Sequence, residues 1–543
     1  MITDVYRNDI QGLRALCVLS ITLFHASFVL LPGAFLGVDI FFVISGFLIT
    51  GNILREREAG AFSFLSFFNR RLRRLMPAAV TVVVLTLIVG YFILSSQDYR
   101  AASKAGIASI LSVSNILFWR EAGYFDAANY TKPFLHYWSL SVEEQFYLIW
   151  PFLLVLAARL GGRKLVMAGV VAGFVLSLLS VELFAYDRSP TASFFLTPFR
   201  AFEFMCGAFI AVGKFEIRSR IGKDIATLVG LTAIVGSMIL LTEHDRMPGF
   251  LSLFSLFGCA LVLASPGARI GGVLRFRPMV LIGNASYSIY LVHWPVIAFY
   301  MYTVSTEPSL VAQFVLLFLT IALGFLVYVL VETPLRKREF WARLGRAAPV
   351  AGLGSVAAGL GLCAAIWMMD GLPSRFQHAV SFEFDRAAML QKMMDVRDSE
   401  NAAPKEAGQP GFYLIGDSMS RDAAVMMSAL RPDAKIEHFW ISVQCQGLVL
   451  DRPALADKIN FGLTRPQLES CQKLEARAFA PRELKKYDVI ILASRWQAWS
   501  PDYFAPTIAK IRKATNAPII VIGNGPAFSQ DVATILERNR KAV

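Results

Sequence analysis

The sequence predicts a polytopic α-helical membrane domain followed by a smaller α/β domain. Three observations predict it. Of 543 residues, 55% are hydrophobic and only 17% charged, which is too apolar for an ordinary soluble chain. The apolar residues gather in runs of membrane-spanning length that fill the chain to about residue 370 and then stop. Beyond residue 410, short β-rich runs alternate with helical patterns, the signature of a parallel sheet.

Eleven runs reach about twenty residues, beginning near Leu13, Leu36, Leu75, Leu140, Leu165, Phe194, Ile225, Leu251, Val280, Ser309 and Pro349. The expected architecture is about ten transmembrane helices over residues 1–346 and one linking transmembrane helix over 347–370. The first run is read as a retained helix and not a signal peptide, because a second run follows at once without a small-residue cleavage pattern. Ile107–Trp119 is apolar but short and reads as a re-entrant or interfacial helix.

Loop charge orients the runs. Lys and Arg crowd the loops after every second run, as in Arg70, Arg71, Arg73 and Arg74, or Arg336, Lys337 and Arg338, while the alternate loops are nearly bare. Short-loop cations stay cytoplasmic, so the N-terminus is expected in the cytoplasm and the C-terminal domain in the periplasm of a bacterial inner membrane. The net charge of +13 is explained by these topology signals and gives no nucleic-acid face. The expected partners are the lipid bilayer and a substrate, not nucleic acid.

Six cysteines show neither CxxC nor zinc-ligand spacing, so no metal is expected. Cys445 and Cys471, placed by loop charge in an oxidising space, are expected to pair.

An ionisable group inside a span costs at least about 2.5 kcal/mol and is a functional candidate by default. Arg14 and His25 share the first run, with His25 roughly 16 Å further along the helix axis. That separation suits an arginine holding an anion and an imidazole acting as base; a histidine satisfied by a neighbouring carboxylate is the other reading, and Asp39 opens the second run. Four arginines in Asn69-Arg70-Arg71-Leu72-Arg73-Arg74 exceed what topology needs, and guanidinium matches phosphate bidentately, so a nucleotide-like donor fits there. His136, Glu143 and Glu144 enter the fourth run together from the outer side. Arg200 and Glu203 are spaced to pair with each other, and His293 reads as an interface residue beside an aromatic belt.

Residues 371–410 are polar and read as a periplasmic linker with some helix at Ala387–Met394. In 411–543, strands are expected at Phe412–Ile415, Val489–Leu492 and Pro518–Ile522, with Gly416-Asp417-Ser418 at a strand-to-helix turn, an arrangement that suits a nucleophile.

Arg14 with His25, the GVDIFFVISGFLIT stretch from Gly37, RRLRRLMPA from Arg70, WSLSVEEQFYLIWP from Trp138 and NASYSIYLVHWP from Asn284 together resemble the acyltransferase-3 family of integral membrane acyltransferases. The match runs over about residues 7–340, and the added outer domain resembles the subgroup that O-acetylates bacterial surface polysaccharides such as lipopolysaccharide O-antigen. The resemblance implies acetyl-CoA as donor and a polysaccharide or lipid-linked glycan as acceptor. Arg14 and His25 are implied as essential, Arg71 and Arg74 as cofactor-binding together with Arg14, and Glu143 as a site residue. The outer domain looks like block one of an SGNH hydrolase, which makes Ser418 the candidate nucleophile and Asn524 a candidate oxyanion donor. The Asp-x-x-His pair of that fold is not found, and only His438 follows Ser418, so the domain reads as an incomplete SGNH-like unit. A proton-coupled transporter would show repeats with broken helices, which are not found, and a membrane-anchored esterase would need one span and a full triad.

Overall fold

The computed structural model describes residues 7–122, 131–185, 188–243, 245–306 and 308–376 of the helical part. In the C-terminal part it describes 406, 408–417, 419–421, 423–424, 427, 431, 433–441, 445, 448, 465–494 and 501–522. Ser418, Asn524 and the proposed helix at Ala387–Met394 lie outside the described residues. The chain divides into two compact units, Met1–His378 and Ala379–Val543.

Among its described residues the first unit contains helices and no strand. Its elements are α1 (Asn8–His25), α2 (Gly37–Glu58), α3 (Phe64–Ile93), α4 (Ser96–Ile110), α5 (Ser114–Glu121), α6 (Tyr137–Ser180), α7 (Pro190–Phe195), α8 (Thr197–Gly213), α9 (Arg220–Leu240), α10 (Leu253–Leu263), α11 (Arg277–Asn284), α12 (Ser286–Thr303), α13 (Leu310–Val327), α14 (Thr333–Arg336), α15 (Arg338–Leu344) and α16 (Ala348–Met368). All eleven apolar runs are therefore helical, but they do not make eleven simple spans. Among the described residues, seven helices are long and apolar enough to cross a membrane, or up to eight when a bent pair counts as one.

The difference has local causes. At about 66 Å, α6 is twice the thickness of a bilayer core, and it breaks at Gly161 and Gly162. Gly162 has φ 60 and ψ −153, a conformation only glycine adopts without strain, so two expected runs are joined as one kinked element. The ninth run bends by 71° between α11 and α12. The eighth run is the short apolar stretch Phe250–Leu263. Helix α1 carries Asp9 and Arg14 and packs against α2, α11 and α12, so protein rather than lipid surrounds much of it.

Side chains that a soluble protein would bury face outward, among them Ile88 and Phe92 on α3, Phe152 and Leu156 on α6, and Phe318 on α13. Such a continuous apolar exterior fits lipid and not water. The interior is tied by aromatic stacking, as where Phe204 of α8 lies 4.2 Å from Phe146 and 4.5 Å from Phe42. Ile107–Trp119 is two helices, α4 and α5, with the chain turning at Leu111–Val113. The expected linking helix is α16, packed on α3 and α4.

The described residues of the second unit hold a four-stranded parallel sheet, β1 (Gly411–Gly416), β2 (Lys435–Trp440), β3 (Val489–Ala493) and β4 (Ile519–Ile522), in the order β2-β1-β3-β4. Helices α17 (Arg465–Ala478), α18 (Pro481–Leu484) and α19 (Pro501–Arg512) lie between strands in the chain. Strand β2 was not expected. Its Lys435, Glu437 and His438 break the apolar signal; among the described residues it lies at the sheet's edge, where charged side chains discourage further pairing. Cys445 and Cys471 form a disulfide with a Cα–Cα distance of 5.3 Å.

Candidate functional site

Two cavities meet inside the helical unit. The first, about 120 Å³, is built from five helices, and Arg14, Ser45, Arg71, Arg74, Glu143 and Tyr147 supply its polar wall. Arg71 and Arg74 stand three residues apart on α3 and so share a face, the one that turns inward. Arg70 instead turns to the surface, where it pairs with Glu56 at 2.7 Å. The inward guanidiniums are weakly satisfied: Arg14 donates to Gln11 Oε1 at 3.4 Å, and the buried Arg74 Nε has no hydrogen-bond partner among the described residues. The Arg71 guanidinium lies 4.7 Å over the Tyr147 ring.

Glu143 is the carboxylate that lines this cavity, and it is already occupied. The Tyr147 hydroxyl and the Ser45 hydroxyl both donate to Glu143 Oε1, and Tyr147 Oη lies 3.1 Å from Ser45 Oγ. Three guanidiniums against one hydrogen-bonded carboxylate leave the cavity with an excess of positive charge. It is suited to an anion such as a phosphate.

The second cavity, about 700 Å³, is larger and rich in aromatic side chains, with Phe24, Phe35, Trp138, Phe194, Tyr290 and Trp294 in its wall. His25 projects into it and packs edge-on against Trp294 at 4.8 Å. No hydrogen bond joins the His25 ring to another described residue, so the carboxylate partner considered for it is not observed. Asp39 instead accepts from Arg200 Nη2 at 2.7 Å, and Arg200 Nη1 lies 3.1 Å from Glu203, both pairs almost wholly buried. The expected Arg200–Glu203 pair is thus half of a three-member cluster, with the guanidinium 5.4 Å over the Trp138 ring.

Sequence grouping and structure differ in two respects. Arg14 and His25 share a helix but face different cavities, and Glu143 sits with the arginines rather than with His136. Tyr290 and Val38 line both cavities and form their common wall.

Residues 7–329 match the model of the acyltransferase domain, more than half of the chain. The chain belongs to the acyltransferase-3 family. Within the family it is similar to the peptidoglycan O-acetyltransferase OatA of Listeria monocytogenes, 32% identical over 353 residues, covering 62% of this chain and 56% of the relative. It is also similar to the O-acetyltransferase OatA of Staphylococcus aureus strain NCTC 8325, 31% identical over 364 residues, 63% of this chain and 59% of the relative. A putative O-acetyltransferase of S. aureus strain MSSA476 is 33% identical over 354 residues, 61% and 58% of the two chains. The chain spans less than two thirds of the length of these curated relatives. No solved structure matches it.

Sequence reasoning missed Ser45, Tyr147, Tyr290 and the clustering of His136 and His293 beside His25. For Tyr147 a signal existed, since it follows Glu143 by four residues on one helix. A buried acid, Glu332, was also missed; it accepts from Ser288 Oγ at 2.7 Å, and its other oxygen, Oε1, is buried without a hydrogen-bond partner.

In the outer unit, His438 does not present a free base. Its Nε2 lies 2.7 Å from Ser420 Oγ, and that buried hydroxyl donates to the Asp417 carbonyl at 2.7 Å, so the ring nitrogen must donate in turn. Burial first, and the nearby Arg421 charge second, hold its pKa down at about 4.

Proposed function

We propose that this chain takes an acetyl group from acetyl-CoA at the arginine-lined cavity and delivers it to a hydroxyl of a cell-envelope glycan. The single observation that supports the donor site is the convergence of Arg14, Arg71 and Arg74 on a cavity whose one carboxylate, Glu143, is already bound by Ser45 and Tyr147. A CoA thioester brings phosphates that would supply the missing anions. His25 in the adjoining cavity is the general base for the acceptor hydroxyl, and the aromatic wall around it suits the apolar face of a sugar ring.

Loop charge supports a cytoplasmic N-terminus and an outer C-terminal unit in the bacterial inner membrane, which puts the donor on one side and the glycan on the other. Ser418 is assigned the hand-over to the final acceptor. Peptidoglycan is the acceptor in the Listeria relative's name, and we take it as the first acceptor to test, with lipopolysaccharide O-antigen the second.

The test is alkali-labile acetate released from purified peptidoglycan and lipopolysaccharide of cells carrying the native chain, no chain, or His25→Ala. Acetate is expected in one fraction only with the native chain. A lost general base removes about 10²–10⁴ in rate, so His25→Ala should fall to background while reaching the membrane normally. Near-native acetate with His25→Ala would end the catalytic assignment, and no difference between native and chainless cells would end the proposed function.

A further inference from the structure

The ninth apolar run is two helices, and the break between them falls at the arginine cavity. Helix α11 ends at Asn284, α12 begins at Ser286, and the pair is bent by 71°. A helix broken inside a membrane frees backbone N–H groups that hydrocarbon cannot satisfy, so such breaks occur where protein or a cavity serves them. Here the first turn of α12 gives Ser286 and Tyr287 to the cavity wall, and Tyr290 follows one turn on.

Two contacts fix that turn among the arginines. Gly283 packs so closely on α1 that a Cβ there would stand 1.9 Å from the Gln11 carbonyl oxygen. Arg14 and Ser286 each lie three residues beyond this crossing, one on α1 and one on α12, and both line the cavity. The Tyr287 hydroxyl donates at 2.9 Å to the carbonyl of Leu75, the residue after Arg74 on α3. The N-terminal end of α12, a helix of 18 residues, is therefore anchored to both helices that carry the arginines.

Ser286 itself is unsatisfied. Its side chain is wholly buried, yet Oγ has no hydrogen-bond partner among the described residues, and neither has the buried Arg74 Nε. A buried polar group without a partner is costly and calls for an explanation. Both atoms carry a hydrogen to donate, the first N–H groups of α12 add further donors, and the helix dipole adds partial positive charge. A water would satisfy the hydroxyl but leave the surplus positive charge standing, because Glu143 is held by Ser45 and Tyr147. Phosphate oxygens answer both needs, accepting from hydroxyl, guanidinium and helix N-terminus while carrying the opposite charge.

We propose that the first turn of α12, with the Ser286 hydroxyl, is a phosphate seat that holds one phosphate of the donor beside Arg74. The proposal rests on the reading of this cavity as the site of a CoA thioester, and it adds a binding residue on a helix that reading does not use.

The test is titration calorimetry on the purified full chain in detergent, with CoA, dephospho-CoA and pantetheine as probes. Pantetheine lacks every phosphate, and dephospho-CoA lacks the 3′-phosphate alone. The native chain is expected to bind CoA at least roughly tenfold more tightly than pantetheine; equal affinity, or no CoA binding, defeats the donor reading itself. Where that preference holds, Ser286→Ala is expected to weaken CoA binding roughly tenfold, the loss of one hydrogen bond to a charged group. A loss seen with CoA but not with dephospho-CoA puts the 3′-phosphate in the seat, and a loss seen with both puts the diphosphate there. CoA affinity within twofold of native overturns the seat. Removing an unpartnered hydroxyl should leave the ligand-free chain as stable as native, so a melting temperature lowered by more than about 3 °C marks a packing role and also overturns it. If Ser286→Ala fails to reach the membrane, Ser286→Cys decides, since a thiol keeps the shape but is a weak donor. A loss of more than twofold for CoA in that variant supports the seat, and native affinity overturns it.

Discussion

Replacing Gly46 by alanine tests how the two cavities are held. Gly46 lies where α2 crosses α8, and a Cβ there would stand 2.0 Å from the Phe204 carbonyl oxygen. Ordinary contact begins near 3.4 Å, so the helices must part by about 1.4 Å, and the obstacle is backbone, which cannot swing aside as a side chain could. Overpacking of this kind costs about 3 kcal/mol, the upper end of the usual range. Separation would also stretch the 2.7 Å Arg200–Asp39 contact, which joins α8 to α2, to about 4 Å, beyond hydrogen-bond reach. Purified Gly46→Ala protein in detergent should therefore melt at least about 3 °C below native and transfer acetyl more slowly. Gly207→Ala, whose Cβ would meet the Val43 carbonyl oxygen at 1.9 Å on the same crossing, should behave alike, and the double variant should lose less than the sum because the first substitution already opens the seam. An unchanged melting temperature for Gly46→Ala would refute the close approach of the two helices. Strictly additive losses would refute their sharing one seam.

Arg71→Lys and Arg74→Lys keep the charge but lose the planar fork, so each should raise the KM for acetyl-CoA roughly tenfold with little change in kcat; unchanged KM values would leave these arginines only a topological role. In the outer unit, the pKa of His438 stands at about 4 in the folded chain against 6.5 for the free side chain, so the unfolded state binds more protons between those values. Stability is then complete above about pH 6.5 and falls by roughly 3 kcal/mol as pH drops to about 4. Hydrogen exchange of β1 and β2 amides in the full chain, corrected for intrinsic pH dependence, should show protection lost over that window, and His438→Gln should abolish the trend. A flat native profile would contradict it.

What the sequence revealed and what it hid follow from the same physics. Eleven apolar runs were legible because hydrocarbon demands a helix of a fixed length, and Arg71 with Arg74 were legible because residues three apart must share a face. The facing of Glu143 was not. Helix α6 is apolar around most of its circumference, so no stripe marks which side meets protein, and depth along the chain put Glu143 beside His136 when rotation puts it beside Arg71. His293 read as an interface residue because Trp294 follows it, yet the ring is wholly buried, a property of the packing of α12 against α1 that the spacing within one helix cannot convey. Likewise the second partner of Arg200 lies 161 positions away on α2, out of reach of any local rule.

On the proposed reading, charge alone would sort the two substrates before shape has any part in it. The smaller cavity sets Arg14, Arg71 and Arg74 against Glu143, so an uncharged ligand would leave buried guanidiniums uncompensated there, whereas an anion relieves that cost. The larger cavity balances Arg200 and Lys132 against Asp39 and Glu243, and its remaining wall is largely aromatic, so a bulky anion would gain little there while a neutral polyhydroxylated ring could bury its apolar face. On the proposed reading, a donor bearing phosphates would favour the arginine-lined cavity and a neutral acceptor the aromatic one, with Val38 and Tyr290 shared between them. It follows that reversing the balance on one side, as with Arg14→Glu, should weaken acetyl-CoA binding without altering acceptor KM, and a comparable change in both constants would show that the cavities do not act as separate sites.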